Sequence, residues 1–245
     1  MRRKRRRLRR PRHLPLHRQA RRPLKIQYYW GEVLVENLPF LLEGYFNTLR
    51  LVGIGFVASL AVGTAVAVLR LAPVPILPTV ARAQVEVFRN TPLIVQMGFF
   101  NLGLRSVGIG LSSFAAAAIA LILYTGAYVT ESVRAGVASV GSGQIEAARS
   151  LGMNFAKSMR LVVLPQAFRT VIPPLGNLMI AMVKNSAIAA AIAYPDLLYQ
   201  AEILDSRTFR TFEIYTGALV FGFLTITIPL SFIVSRLERR LKIAR

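Results

Sequence analysis

Few side chains in this sequence could carry chemistry, and most of those sit within apolar runs. Lys184, Asn185 and Ser186 interrupt "TVIPPLGNLMIAMVKNSAIAAAIAYP". A charge at mid-depth in a bilayer costs about 2.5–3.5 kcal/mol, so it faces protein or water. Three roles are open to Lys184. With Asn185 and Ser186 it could meet a solute carboxylate, it could snorkel to the interface, or it could pair with Glu131 or Glu86. A structural or gating role is favoured over direct solute contact. Glu131 and Arg134 stand three residues apart at the end of another apolar run and can pair on one helix face. Arg89, Asn90 and Thr91 precede Pro92 and mark a helix boundary. Either group could line a pathway, and for each the plainer reading is interfacial anchoring.

Other chemistries find no residues. The 245-residue chain has no cysteine, which removes disulfides, thiolate metal sites and thiol nucleophiles. Its two histidines, His13 and His17, both lie in a basic tail, so no buried histidine site is expected and no metal ligand set is visible. There is no G-x-x-x-x-G-K-[ST] phosphate loop and no Gly-Lys pair, so the chain cannot supply ATP energy by itself. A catalytic constellation is not found.

The elements that must position these residues are membrane helices. The chain is 54% hydrophobic and only 17% charged, with a mean hydropathy of +0.48, outside the usual range of soluble domains. Nineteen uncharged residues between Arg50 and Arg70 cover about 28 Å, the hydrocarbon thickness. Within them Gly55, Ser59 and Gly63 form a small-xxx-small stripe, read as packing inside one bundle. Uncharged runs of 25 and 22 residues follow Arg105 and Glu213. The expected fold is an all-α membrane protein with five spans, at about 44–70, 80–104, 109–133, 168–193 and 212–237. Pro73, Pro75 and Pro78 separate the first two. The second is interrupted by charges and Pro92, and is read either as a sheltered short helix or as one preceded by an interfacial helix.

The net charge of +20 is concentrated at one end: residues 1–31 hold 13 Lys/Arg and no acid. This tail has no signal-peptide core. It reads as an arm on anionic lipid, as a nonspecific nucleic-acid binder, or as the product of a start codon set too far upstream; no nucleic-acid-binding motif accompanies it, and no such partner is expected. Residues 32–245 form the membrane domain. Apart from the tail, 13 basic residues fall on the face that holds the 131–169 segment and the C-terminus, which makes that face cytoplasmic. The tail would sit on the other face, against the rule. Tyr28, Tyr29 and Trp30 read as an interfacial aromatic belt.

Between the third and fourth spans, residues 141–165 look like a piece of a soluble protein: "SGQIEAARSLGMNFAKSMRLVVLP". Ser142 or Gly143 can cap a helix, with Glu146 early in it, where a negative charge suits the dipole. Ala147, Ala148 and Leu151 share one face by spacing. Gly152 is placed to end the helix in the left-handed conformation, and Asn154 to cap a second helix that ends at Pro165.

The spacing EAA, three residues, Gly, nine residues, Val-x-Leu-Pro resembles the EAA motif of permease subunits of bacterial ABC importers, with Val162 where the family usually has Ile. The flanks "YVTESVRAGVASVGSGQIEAARSLGM", "LPQAFRTVIPPLGNLMIAMVKNSAI" and "VFRNTPLIVQ" resemble the polar amino-acid uptake branch, glutamate and glutamine permeases most closely. The likeness covers about residues 40–240. It implies a multi-pass protein of the bacterial cytoplasmic membrane, one half of a permease dimer formed with a second copy or a sister permease. It also implies a cytoplasmic ATPase partner that uses ATP, an external solute-binding protein, and a coupling helix in which Glu146, Ala147, Ala148, Leu151 and Gly152 dock on the ATPase. Lys184, Asn185, Ser186, Glu131 and Arg89 remain candidates for the pathway or its gate. A self-sufficient transporter or channel is the alternative; inverted repeats would favour it, and none is visible.

Overall fold

The computed structural model describes residues 31–71, 74 and 76–241. The expectations for the basic tail, His13, His17 and the aromatic belt lie outside the described residues. A short lead-in, α1 (Glu32–Glu36), precedes α2 (Leu38–Leu71), α3 (Ile76–Asn90), α4 (Leu93–Val107) and α5 (Ser113–Ala138). Then come α6 (Ser142–Ser150), α7 (Ala156–Ile192), α8 (Leu197–Thr208) and α9 (Thr211–Arg240). Helices α2, α5, α7 and α9 are long and apolar enough to cross a membrane, and α4 is a shorter apolar helix. The fold is the expected all-helical membrane bundle, with about five spans.

The centre of the bundle is the α2–α5 seam. Bilayer helices gain little from hydrophobicity alone, so they associate through close packing and hydrogen bonds. Ser59 and Gly63 of the small-residue stripe serve this purpose, while Gly55 makes room for Met182 of α7. A Cβ on Gly63 would lie 2.5 Å from the Gly126 carbonyl oxygen and 2.6 Å from Val129 Cβ, so only glycine permits this approach. The Ser59 hydroxyl donates to its own Gly55 carbonyl at 2.7 Å, and Thr130 Oγ1 on α5 lies 3.0 Å from the Gly63 carbonyl. Leu51, Met97, Leu121 and Met182 are fully buried around this contact.

Prolines shape two of the helices. Pro92 has no N–H for the Phe88 carbonyl, and the chain breaks between α3 and α4. Gln96 Nε2, buried in α4, donates to both the Phe88 and Thr91 carbonyls at 2.9 Å and so closes the break. The expected second span is therefore broken in two, with amphipathic α3 leading into apolar α4. Pro165 behaves differently from the expectation. It does not end a helix: α7 runs on through Pro165, Pro173 and Pro174 to Ile192. A π-helical turn at Met159–Val163 comes just before Pro165, which falls in the first turn of the α-helix that follows, where its missing N–H costs least.

The end of the bundle opposite α6 is tied by a compact joint. Asp196 caps α8, its Oδ1 accepting from the Tyr199 N–H at 2.9 Å. The Leu197 N–H donates to Thr48 Oγ1 at 3.1 Å, Asn47 Nδ2 donates to the Pro195 carbonyl at 2.9 Å, and Tyr194 OH donates to the Asn47 carbonyl at 3.0 Å. Helix α8 buries Leu197, Ala201 and Leu204. Sequence reading passed over it, because it contains charges and no uncharged run.

Candidate functional site

Helix α6 begins one residue earlier than its capping pattern suggests: Gly141 stands at the N-cap and Ser142 is already helical. Glu146 therefore lies in the second turn. The end is built as expected. Gly152 has φ +77°, its N–H donates to the Arg149 carbonyl at 2.9 Å, and the Met153 N–H donates to the Ala148 carbonyl at 3.1 Å. That bond pair is a Schellman closure. Asn154 Oδ1 then accepts from the Lys157 N–H at 2.9 Å and caps the start of the next helix.

The faces of α6 divide unevenly. Ala148 is buried, and Ile145 is half-buried against a cluster of Val140, Val163 and Ala167. Glu146, Ala147 and Gly152 are exposed, and Leu151 is 79% exposed. Ala148 thus departs from the expected shared face. It seats the helix on its own bundle, while Ala147 and Leu151 point away. Leu151 therefore stands out as a large apolar side chain left in the open on a short helix.

A polar groove runs between α5 and α7. Toward the α6 end it is a cavity of about 380 Å³ lined by Arg89, Glu131, Ser132, Thr170 and Pro174. Further from α6 is a second cavity of about 250 Å³, lined by Tyr124, Thr125, Tyr128, Ala181 and Asn185. The lining follows helical spacing on both walls: Tyr124, Tyr128 and Ser132 on α5, and Thr170, Pro174, Leu178 and Ala181 on α7. The two tyrosine hydroxyls lie 3.4 Å apart, and the Arg89 guanidinium sits 5.0 Å from the centre of the Tyr128 ring.

Glu131 pairs with Arg134 as the spacing suggests, with Nη2 at 2.9 Å and Nε at 3.0 Å, and it also binds Arg70 from α2. Pairing with Glu131 or Glu86 is one of the three roles the sequence leaves open to Lys184. Glu131 is already held by two arginines, and Lys184 is exposed with no ion pair among the described residues. Asn185 lines the groove, whereas Ser186 is buried and donates to the Val183 carbonyl at 2.8 Å. Five candidates thus separate into three that line the groove (Arg89, Glu131, Asn185) and two that do not. Tyr124, Tyr128 and Thr170 were missed. The signal was present: polar residues recur every three or four positions through "YTGAYVTES".

Known proteins match this architecture closely. The family described as binding-protein-dependent transport system inner membrane component matches residues 55–243. The "Probable glutamine ABC transporter permease protein GlnM" of Bacillus subtilis is 41% identical, over 86% of this chain and 97% of the relative. The glutamine transport system permease protein GlnP of Escherichia coli K12 is 34% identical, over 89% of this chain and all of the relative. Among solved structures, an amino acid ABC transporter crystallised with histidines superposes with a TM-score of 0.81 at 38% identity, covering 84% of this chain and 96% of that one. The MetNI methionine ABC transporter gives 0.71 at 21% identity, covering 85% and 99%, and supports the fold.

The chain belongs to the binding-protein-dependent transport system inner membrane component family. It is a multi-pass inner-membrane permease subunit of an ABC transporter, not an enzyme, and its ATP is hydrolysed by a partner ATPase.

Proposed function

We propose that this permease carries a polar amino acid of the glutamine or glutamate type into the cell, that α6 docks in the ATPase, and that the α5–α7 groove is part of the solute's path. The observation that carries the reading is α6 itself: a short helix seated by Ala148, stopped by Gly152 at positive φ, and presenting Leu151 to solvent. The names of the GlnM and GlnP relatives support the substrate class.

The α6 end faces the cytoplasm by the excess of Lys and Arg there. An external binding protein hands the amino acid to the opposite face, and the subunit pairs with a second copy or a sister permease. The groove offers hydroxyls, an amide and, nearest the cytoplasm, Arg89 beside a Glu131 already neutralised by arginines. Neutral and acidic solutes suit that lining.

The test is reconstitution of the permease with its ATPase and binding protein in liposomes, followed by uptake of labelled amino acids. ATP-dependent accumulation of glutamine or glutamate supports the proposal. Accumulation of only cationic amino acids would refute the substrate class, and uptake without the ATPase would refute the docking.

A further inference from the structure

Helix α3 has three faces where an ordinary surface helix has two. At about 100° per residue, Ile76, Val80, Ala83 and Val87 fall within about 60° of one another. All four are exposed, the three large ones by 71%, 61% and 58%. A second face, Ala81 and Val85, is buried in the bundle. The third face carries Arg82, Glu86 and Arg89, all exposed. Arg70, at the end of α2, is paired with Glu131 and stands within electrostatic reach of Arg82, Glu86 and Arg89.

Each face has its own medium. The buried face has the bundle. The charged face needs water or headgroups, and the apolar stripe needs hydrocarbon. A helix satisfies all three at once when it lies against the bundle in the plane of the membrane surface. The break at Pro92, closed by Gln96, marks the change from this helix to apolar α4. One further feature chooses the lipid. The exposed charges on and around α3 are mostly arginines, and an anionic headgroup complements them.

We propose that α3 is an anchor in the cytoplasmic leaflet, with Ile76, Val80 and Val87 among the upper acyl carbons and Arg82 on the headgroup of an anionic lipid. This rests on the cytoplasmic orientation of the α6 end proposed above. That orientation has its own check: the chain has no cysteine, so a Gly143→Cys label tested with an impermeant reagent reports the side of the membrane independently.

The experiment uses the permease assembled with its ATPase in nanodiscs of phosphatidylglycerol and phosphatidylcholine. Trp30 is the one tryptophan, so a Trp30→Phe background makes Val80→Trp and Val87→Trp single reporters, with Ser206→Trp, on exposed α8 at the end away from the ATPase, as the control. Bromines placed high on the acyl chain should quench Val80→Trp and Val87→Trp roughly three-fold more than bromines placed low, and Ser206→Trp should show no such preference. Arg82→Gln should weaken that quenching in phosphatidylglycerol discs and leave it unchanged in phosphatidylcholine discs. Strong quenching by the low bromines would mean that α3 crosses the bilayer, and no quenching in the assembly would mean that a second copy or the ATPase covers the stripe. Either result overturns the proposal, as does an Arg82→Gln effect that is the same in both lipids.

Discussion

Helix α5 faces two neighbours and meets them in opposite ways. Toward α2 it closes on glycine and serine, backbone against backbone, with Thr130 bonded across the seam. Toward α7 it presents Tyr124, Tyr128 and Glu131 to a groove. The first contact is dry, short-range and leaves no room for sliding. The second holds cavities at two levels, and only below them does it close, where a Cβ on Gly136 would run into the Val171 side chain of α7. The comparison teaches where room is left between helices: none at the glycine seam of α2 and α5, and some between α5 and α7, which continues directly from the α6 turn and on the proposed reading is the wall that shifts with the ATPase.

The strongest way to break this comparison is to wedge the closed side. Gly63→Leu places a side chain where even a Cβ meets backbone at 2.5 Å, and should cost about 3 kcal/mol or more. Thermal unfolding in detergent, or loss of folded yield, reads the effect. A variant as stable as the parent would mean that the seam is not tight.

The next effect belongs to coupling. Gly152→Val forces a β-branched residue to φ +77°, and Glu146→Lys reverses an exposed charge on α6. Both should leave the protein folded in the membrane and lower ATP-driven uptake by about 100-fold, or roughly 2.7 kcal/mol of coupling. Normal uptake by both would remove α6 from the docking role.

On the open side, Asn185→Leu removes an amide from the groove. Uptake should fall about ten-fold with the melting temperature nearly unchanged, the pattern of a lost solute contact worth about 1.4 kcal/mol. A melting temperature that falls along with uptake would instead make Asn185 a packing residue. On the closed side, Thr130→Val keeps the shape but loses the hydroxyl, and should cost only about 1 kcal/mol.

Asp196 adds a pH test of the joint that holds α8 to α2. Burial pushes its carboxyl up to about 7, and its Oδ2 has no hydrogen-bond partner. The folded state keeps a proton that the unfolded chain has released, so this group's penalty grows as pH rises from the ordinary carboxylate range to about 7. Asp196→Asn should therefore flatten the stability profile, gaining over the parent at pH 8 and changing little at pH 4. An unchanged slope in unfolding measurements across that range would contradict the assignment.

What the sequence made legible follows from how local each signal is. Gly152 and Asn154 shape their own turn, so their positions alone foretold it. The Gly55/Ser59/Gly63 stripe announces close packing but not its partners, because these lie far along the chain, at Ile122, Gly126, Val129 and Thr130 of α5 and Met182 of α7. Pro165 misled because a π turn ahead of it lets the helix continue, and nothing in the residues themselves announces a π turn. Helix α8 is hidden in the sequence because Glu202, Asp205 and Arg207 interrupt its apolar residues, and the burial of Ala201 and Leu204 depends on α2 and α9. For the groove, charge points to Lys184, whereas the polar part of the lining also takes in two tyrosines, two threonines, a serine and an amide. Neutral polar groups stand out only once two helices are brought face to face.

The most direct test of the account is copurification. The permease and its Leu151→Asp variant are drawn from the host's membranes in mild detergent, and the companions are identified by mass spectrometry. The account predicts that an ATPase with a phosphate-binding loop travels with the parent chain and is lost from the variant, while both chains remain folded. An intact chain that never carries an ATPase, or a variant that retains it fully, would contradict the claim that α6 is the docking element.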